Sequence, residues 1–476
     1  MPLSRRLMTR LVLPGMLVVS GAWFYWNVGR SLPEGHADIE SHFKYGSIGS
    51  DNTVGGIPFA LWKALPEMFP EYLPDSGRTG YAALGMLIEP GHDRPVGFSR
   101  RRVLGLDILG MNCALCHTST LRESAERAPR IVLGMPANAL NLEAFYRFLF
   151  ACAADGRLTA ENVLKQIEKT EHVGPVKRVI YTEVVHRFRE RVLEERDQLA
   201  HIDRIPPWGP GRIDTYGLYK ALFFGLPIGE AVSTVDFPTI WNQRPREGMP
   251  LHWDGNNADL DERNLNAALG VTVAAASIDL GRLKRVTDWV RALPPPLYPV
   301  DRIDQALAER GKATYGQQCA SCHDFGGARV GKVVPIDSIG TDRNRLDSFT
   351  PTLADSMNTL GAGQPWRFSH FKKTMGYVSM PLDGVWLRAP YLHNGSVPTL
   401  ADLLATPDAR PRQFYRGYDV YDWQRVGFVS TIAEERGRKF FEFDTRLRGN
   451  GNGGHLYGTA LSAAEKRAVI EYLKTR

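Results

Sequence analysis

Apolar positions recur with a helical period in several separated stretches of the chain. In "DRIDQALAERGKATYGQQCASCH", from Asp301, the residues Ile303, Ala306, Leu307 and Ala313 fall at helical spacing, which predicts a helix ending at a cysteine pair. Near the C-terminus Ser462 and Glu465 stand three apart before "KRAVIEYLKTR", where Val469, Ile470 and Leu473 share one face. A serine and a glutamate so placed can satisfy each other's backbone N–H groups, which predicts a capped helix. Further helices are predicted near 138–151, 159–169 and 180–200. The stretch "VGFSRRRVLGLDILGM" (96–111) keeps no convincing helical period, and residues 31–100, rich in Gly, Pro and aromatics, predict an irregular wrap. Three successive prolines, Pro294–Pro296, followed by Pro299, prevent a helix from running through. The pattern predicts a mainly α fold in two domains: 31–293, elaborated by irregular loops, and 297–476, a small all-α unit.

The first thirty residues are patterned differently. Arg5, Arg6 and Arg10 precede an apolar run from Leu11 to Val28, a positive region followed by a hydrophobic one, as in an export signal. Ser20-Gly21-Ala22 offers small residues for cleavage, while Trp23–Trp26 suits a membrane interface, and about 18 apolar residues is near the lower limit for a span. Residues 1–30 are therefore read either as a cleaved signal peptide or as a membrane anchor formed by 11–28. Both readings place the remainder in the periplasm.

The chain has 476 residues, 43% of them hydrophobic, and a formal charge of +6. Ordinary globular cores are expected, and the absence of long basic runs beyond the first residues leaves a nucleic-acid role without support. The mild charge leaves room for an acidic redox partner protein or an anionic membrane surface.

Cysteine usage changes the picture most. Four of the five cysteines lie in "NCALCH" (112–117) and "QCASCHDF" (318–325), and the fifth, Cys152 in "FLFACAADG", reads as a buried apolar residue. By composition one Cys-x-x-Cys-His is expected on the order of once per thousand such chains. A structural zinc site needs two such pairs, or one pair with a His-x-x-x-His, meeting at one ion and gives no role to a histidine after each pair, and a redox dithiol gives it none either. Covalent haem uses every position: Cys113 with Cys116, and Cys319 with Cys322, form thioethers, while His117 and His323 become the proximal iron ligands. Two c-type haems are expected, and their attachment outside the cytoplasm agrees with the export signal.

With the motifs placed, other stretches carry a resemblance. "WDGNNADLDER" (253–263) and "APYLHNGSVPTLADLL" (389–404) resemble segments of the bacterial di-haem cytochrome c peroxidases. Closer is the rubber oxygenase branch of that superfamily, similar at "HFKYGSIG" (42–49), "PVGFS" (95–99), "WGPGRIDTYG" (208–217), "VDFPTIWNQ" (235–243), "LHWDGNN" (251–257), "ERNLNAALG" (262–270) and "GNGNGGHLYG" (449–458). The resemblance implies a first haem with an accessible iron for oxygen chemistry and a second, ligated on both faces, for electron exchange. It implies a bis-histidine second haem, for which His455, in a flexible Gly/Asn loop, is favoured over His393, with Met380 a further candidate.

For the first haem, aligning on Trp-Asp-Gly sets Arg263 and Val273 where the peroxidases carry a glutamine and a catalytic glutamate. Breaking a peroxide bond needs a base that moves a proton between its oxygens, and "GVTVAAAS" supplies none. An apolar pocket over an open iron instead suits O2 and an apolar substrate. His252 and Trp253 are the expected polar or redox-active neighbours, although Trp253 also reads as a core aromatic, Arg263 as a propionate partner, and Asp254 and Asn256 as a simple turn with Gly255. The expectation is an oxygenase cleaving a C=C bond of an apolar, isoprenoid-like substrate. Pure electron transfer and a peroxidase are the alternatives.

Overall fold

The computed structural model describes residues 32–48, 56–75, 77–271, 275 and 278–476. The segment read as signal or anchor, and Val273, lie outside these residues. Among the described residues no helix is long and apolar enough to cross a membrane.

The mainly α expectation is corrected: 40% of the structure is helix and 14% strand, the strands being spread over one four-stranded and six two-stranded sheets among the described residues. The largest sheet lies where the helical period fails. Phe98–Val103 pairs antiparallel with Leu106–Met111 through a two-residue turn, and Leu32–Pro33 and Ile57–Pro58 flank the hairpin. Both turn residues, Leu104 (φ 50°) and Gly105 (φ 75°), are left-handed, as a turn matching the strand twist requires. The second half is not all-α either: Gln413–Arg416 pairs with Phe441–Asp444, and Val333–Pro335 with Gly376–Val378. These strands are only three or four residues long, too short for an alternation to stand out in sequence.

The predicted helices form at Leu142–Ala154, Ala160–Ile167 and Pro175–Gln198. With Phe59–Met68 they enclose a core of Leu61, Trp62, Phe145, Phe148, Val163, Val185 and Phe188, in which Cys152 is fully buried. The wrap thus contains a helix of its own. The helix Gln305–Gln318 packs against Ala463–Leu473, which carries the Ser462–Glu465 capping box, and Gly311 lets the two backbones touch at the Ala468 carbonyl.

Two further cores run across the proline seam. One joins Phe43, Leu265, Ala268 and Val286 to Phe349, Leu353 and Phe368. The other joins Leu121, Met135 and Trp241 to Tyr315, Trp386 and Val469. Buried ion pairs cross the seam as well, Arg122 to Asp419 at 2.7 Å and Asp236 to Arg416 at 2.8 Å.

Candidate functional site

The first Cys-x-x-Cys-His follows directly from the large hairpin. Asn112 caps the single turn Cys113–Leu115 by accepting from the Ala114 N–H at 3.0 Å, which sets both thiols on one side of the turn that delivers His117. His117 Nδ1 lies 2.9 Å from the Pro238 carbonyl. A carbonyl only accepts, so Nδ1 carries the proton and Nε2 keeps its lone pair. The second motif reaches the same tautomer independently: His323, on the short helix Ala320–His323, has Nδ1 2.7 Å from the Met380 carbonyl. Such a second hydrogen bond orients an imidazole and raises its strength as a ligand.

A cavity of about 350 Å³ opens at the first motif, bounded by Cys113, Cys116 and His117. Its walls are largely apolar: Leu218, Leu222, Phe223, Val235, Phe237, Ile240, Leu260 and Val286 contribute. Leu222 and Phe223 come from a π-helical turn, Tyr219–Phe224, a widened winding that recurs at functional sites. Polar residues share the lining, among them Gln243, Arg246, Asn264, Asn266, Arg345 and Arg388. Arg345 and Arg388 line the cavity and have buried guanidinium nitrogens without protein partners among the described residues, as does the Gln243 amide. Unpaired buried N–H groups are costly unless a ligand satisfies them, and carboxylates such as haem propionates are suitable acceptors. Two thiols and an imidazole lone pair on one wall, with apolar faces and unsatisfied donors elsewhere, fit a covalently held haem. The residues that would hold it are Cys113, Cys116 and His117.

His252, Trp253 and Arg263, the predicted neighbours, all line this cavity. His252 is held in a left-handed conformation (φ 62°) with Nδ1 2.6 Å from Asn256 Oδ1. Its imidazole is pushed down to about 4 by burial and then by the charge of Arg263. Arg263, on the helix Leu260–Gly270, is pushed down to about 10 by burial. Trp253 donates to the Asp236 carbonyl at 3.3 Å and packs beside Ile336, Leu346 and Tyr377 from beyond the seam, so it bridges the two halves.

At the second motif His455 stands against His323, with ring centres 6.2 Å apart. Metal–imidazole bonds of about 2.0–2.1 Å, with the ring nitrogen about 1.1 Å from its centre, place two ring centres roughly 6 Å apart across one ion. The gap therefore fits a single iron. His455 is held by its backbone N–H to the Ile339 carbonyl at 2.8 Å, has a left-handed φ of 46°, and is pushed down to about 4 by burial and the charge of His323. Among the described residues no ring is stacked in this way on His117.

His393 is engaged elsewhere. Its Nε2 is 3.1 Å from the Tyr377 hydroxyl, and that hydroxyl lies 2.9 Å from the Asp342 carbonyl. The carbonyl takes the hydroxyl proton, so His393 Nε2 must be the donor and offers no lone pair there. Met380 meets the second motif through its backbone, while its residue lines the first cavity.

Asp254 and Asn256 are more than a surface turn. Both are buried and belong to a network with Tyr216 and Arg345: the Tyr216 hydroxyl lies 2.9 Å from Asp254 Oδ2, Asn256 Nδ2 2.8 Å from that hydroxyl, and Arg345 donates to it at 2.8 Å. The sequence signal was present in "WDGNN", but four residues spread over 130 positions cannot be joined without the fold.

Residues 376–416 match the family described as RoxA-like, cytochrome c-like. The match supports a cytochrome c of the rubber oxygenase-like kind and implies a c-type haem with iron. This RoxA-like segment contains the Met380 carbonyl that holds His323, together with Arg388, His393 and Arg416. Two relatives from Sinorhizobium fredii (strain NBRC 101917 / NGR234) are also similar. The uncharacterized protein y4iM is 32% identical over 51% of this chain, a match that covers 64% of that relative's length. The uncharacterized protein y4iJ is 25% identical over 88% of this chain and 86% of its own.

Proposed function

We propose that the chain is a periplasmic di-haem c-type cytochrome that acts as an oxygenase on an apolar, isoprenoid-like substrate. The first haem is held by Cys113, Cys116 and His117, and the second by Cys319, Cys322, His323 and His455. The observation that carries the reading is the contrast between the two histidines: His323 faces a second imidazole, and His117 faces an apolar cavity. A haem held at His117 supplies the binding and activation of O2, which the environment on its open side directs. The chain's own part is to seat the substrate against the π-helical turn at Leu222 and Phe223, to exclude water with the apolar walls, and to hold His117 through Pro238. Trp253, in contact with both halves, lies between the first site and residues near the second. A redox partner protein delivers electrons at the second site.

The test is spectroscopic. The chain, matured with haem, is recorded by visible and electron paramagnetic resonance spectroscopy, oxidised and reduced, with and without carbon monoxide. One centre binding the gas and one remaining low-spin is expected. Two low-spin centres indifferent to ligands would leave an electron-transfer protein.

A further inference from the structure

The lining of the cavity at His117 shows where it meets solvent. Of the described residues that line it, three are exposed: Phe223, at 38%, on the π-helical turn, and Ala267 and Gly270 on the helix Leu260–Gly270. Residues three apart on a helix share a face, so Ala267 and Gly270 stand at the rim together. Behind them Leu218 and Leu260 line the cavity and are buried. The entrance is therefore a slot, with an aromatic ring on one side and only a methyl group and a hydrogen on the other.

Both sides of the slot are set by local structure. A π-helical turn carries one residue more than an α-helical turn, which rotates the side chains beyond it by about 100°. Phe223 takes its direction from that extra residue. Its ring is backed by Tyr219, with ring centres 4.9 Å apart. Tyr219 is tied in turn to the facing helix, its hydroxyl 2.8 Å from Asn266 Oδ1 and 2.9 Å from the Asn266 carbonyl. Tyr219 and Asn266 are buried and line the cavity as well, so a hydrogen bond holds the two sides at a set distance. On the helix side a Cβ at position 270 would already come within 3.1 Å of the Tyr219 hydroxyl. A phenylalanine left 38% exposed at the rim of an apolar cavity gains the remainder of its burial only when a ligand covers it.

We propose that Phe223, Ala267 and Gly270 form the substrate entrance, and that Phe223 is a specificity-determining residue that admits an extended apolar chain and excludes rings and quaternary carbons. A flat ring facing a shallow helix surface is complementary to a chain that lies along both. A quaternary carbon or a ring needs the width that Phe223 occupies. The chain need not be enclosed, because its outer part can rest over Ala267 and Gly270 while its inner part fills the cavity of about 350 Å³. The inference rests on this cavity being the substrate site.

The experiment compares the haem-loaded full chain with Phe223→Ala, which widens the slot, and Ala267→Phe, which fills it from an exposed helix position. Two probes are used. One is cis-parinaric acid, a linear polyene whose fluorescence a nearby haem quenches. The other is tert-butyl isocyanide, whose association rate with the reduced protein is divided by that of carbon monoxide. Ala267→Phe should weaken polyene binding about tenfold or more, the scale on which an apolar pocket discriminates by a single carbon. Phe223→Ala should raise the isocyanide ratio about tenfold, and Ala267→Phe should lower it. General damage to the fold cannot produce shifts of opposite sign. A ratio that is unchanged in both variants, or moves the same way in both, would overturn the role of Phe223. Polyene binding unaffected by Ala267→Phe would overturn the entrance itself. A wild-type protein that binds the polyene but no carbon monoxide would instead remove the open-iron reading, and the polyene affinities would then decide the entrance.

Discussion

His393 is buried and His455 only partly so, and their hydrogen bonds separate these two histidines of the second half. His393 Nε2 is committed as a donor to Tyr377, whereas His455 presents its ring to His323 across a metal-sized gap. His455→Ala should convert the proposed second haem from low-spin to high-spin and open it to carbon monoxide, whereas His393→Gln should leave its electron paramagnetic resonance signal in place. The second substitution still weakens a buried hydrogen bond and should cost about 1–3 kcal/mol in denaturant unfolding. The motif cysteines and histidines were legible in sequence because covalent haem attachment requires a contiguous pentapeptide. His455 was legible only through a resemblance, and the network that holds His252 through Asn256 was missed because Asn256 looks like a turn residue until Tyr216 and Arg345 are brought to it.

Among the elements, long periodic helices were readable and short strands were not. The helix Ala463–Leu473 begins at the predicted capping box, and its face meets Gln305–Gln318 with almost no separation at Gly311. A Cβ at position 311 would overlap the Ala468 carbonyl, so Gly311→Ala should force the pair apart and cost about 1–3 kcal/mol, seen as a lower unfolding midpoint. Ser462→Ala removes only the cap and should cost about 1 kcal/mol. The hairpin Phe98–Met111 shows why the fold class was misjudged. Three consecutive arginines break the expected apolar alternation, and neighbouring strands as short as Leu32–Pro33 and Ile57–Pro58 leave no pattern of their own.

Over the whole molecule the proline seam marks a change of course in the chain, while two of the hydrophobic cores and the buried charges pass through it. Asp236 is one such joint, pairing with Arg416 at 2.8 Å in a setting where Arg212 and Arg416 both lie over the Phe443 ring. Asp236→Asn leaves two arginines buried without their counter-charge and should cost about 3–5 kcal/mol. Because the joint belongs to both halves, the loss should appear as one earlier transition shared by circular dichroism and the haem absorption bands. Two separate transitions would show that the halves unfold independently.

The same interleaving is concentrated in Met380, which walls the cavity at His117 and, through its carbonyl, holds the ring of His323. No substitution there has a single address. Any residue there keeps the carbonyl, but a side chain of another size moves the backbone that carries it, so the effects on the two proposed haem sites arrive together. Variants at position 380 will report on communication between the centres, and for that reason they cannot serve as controls for either one.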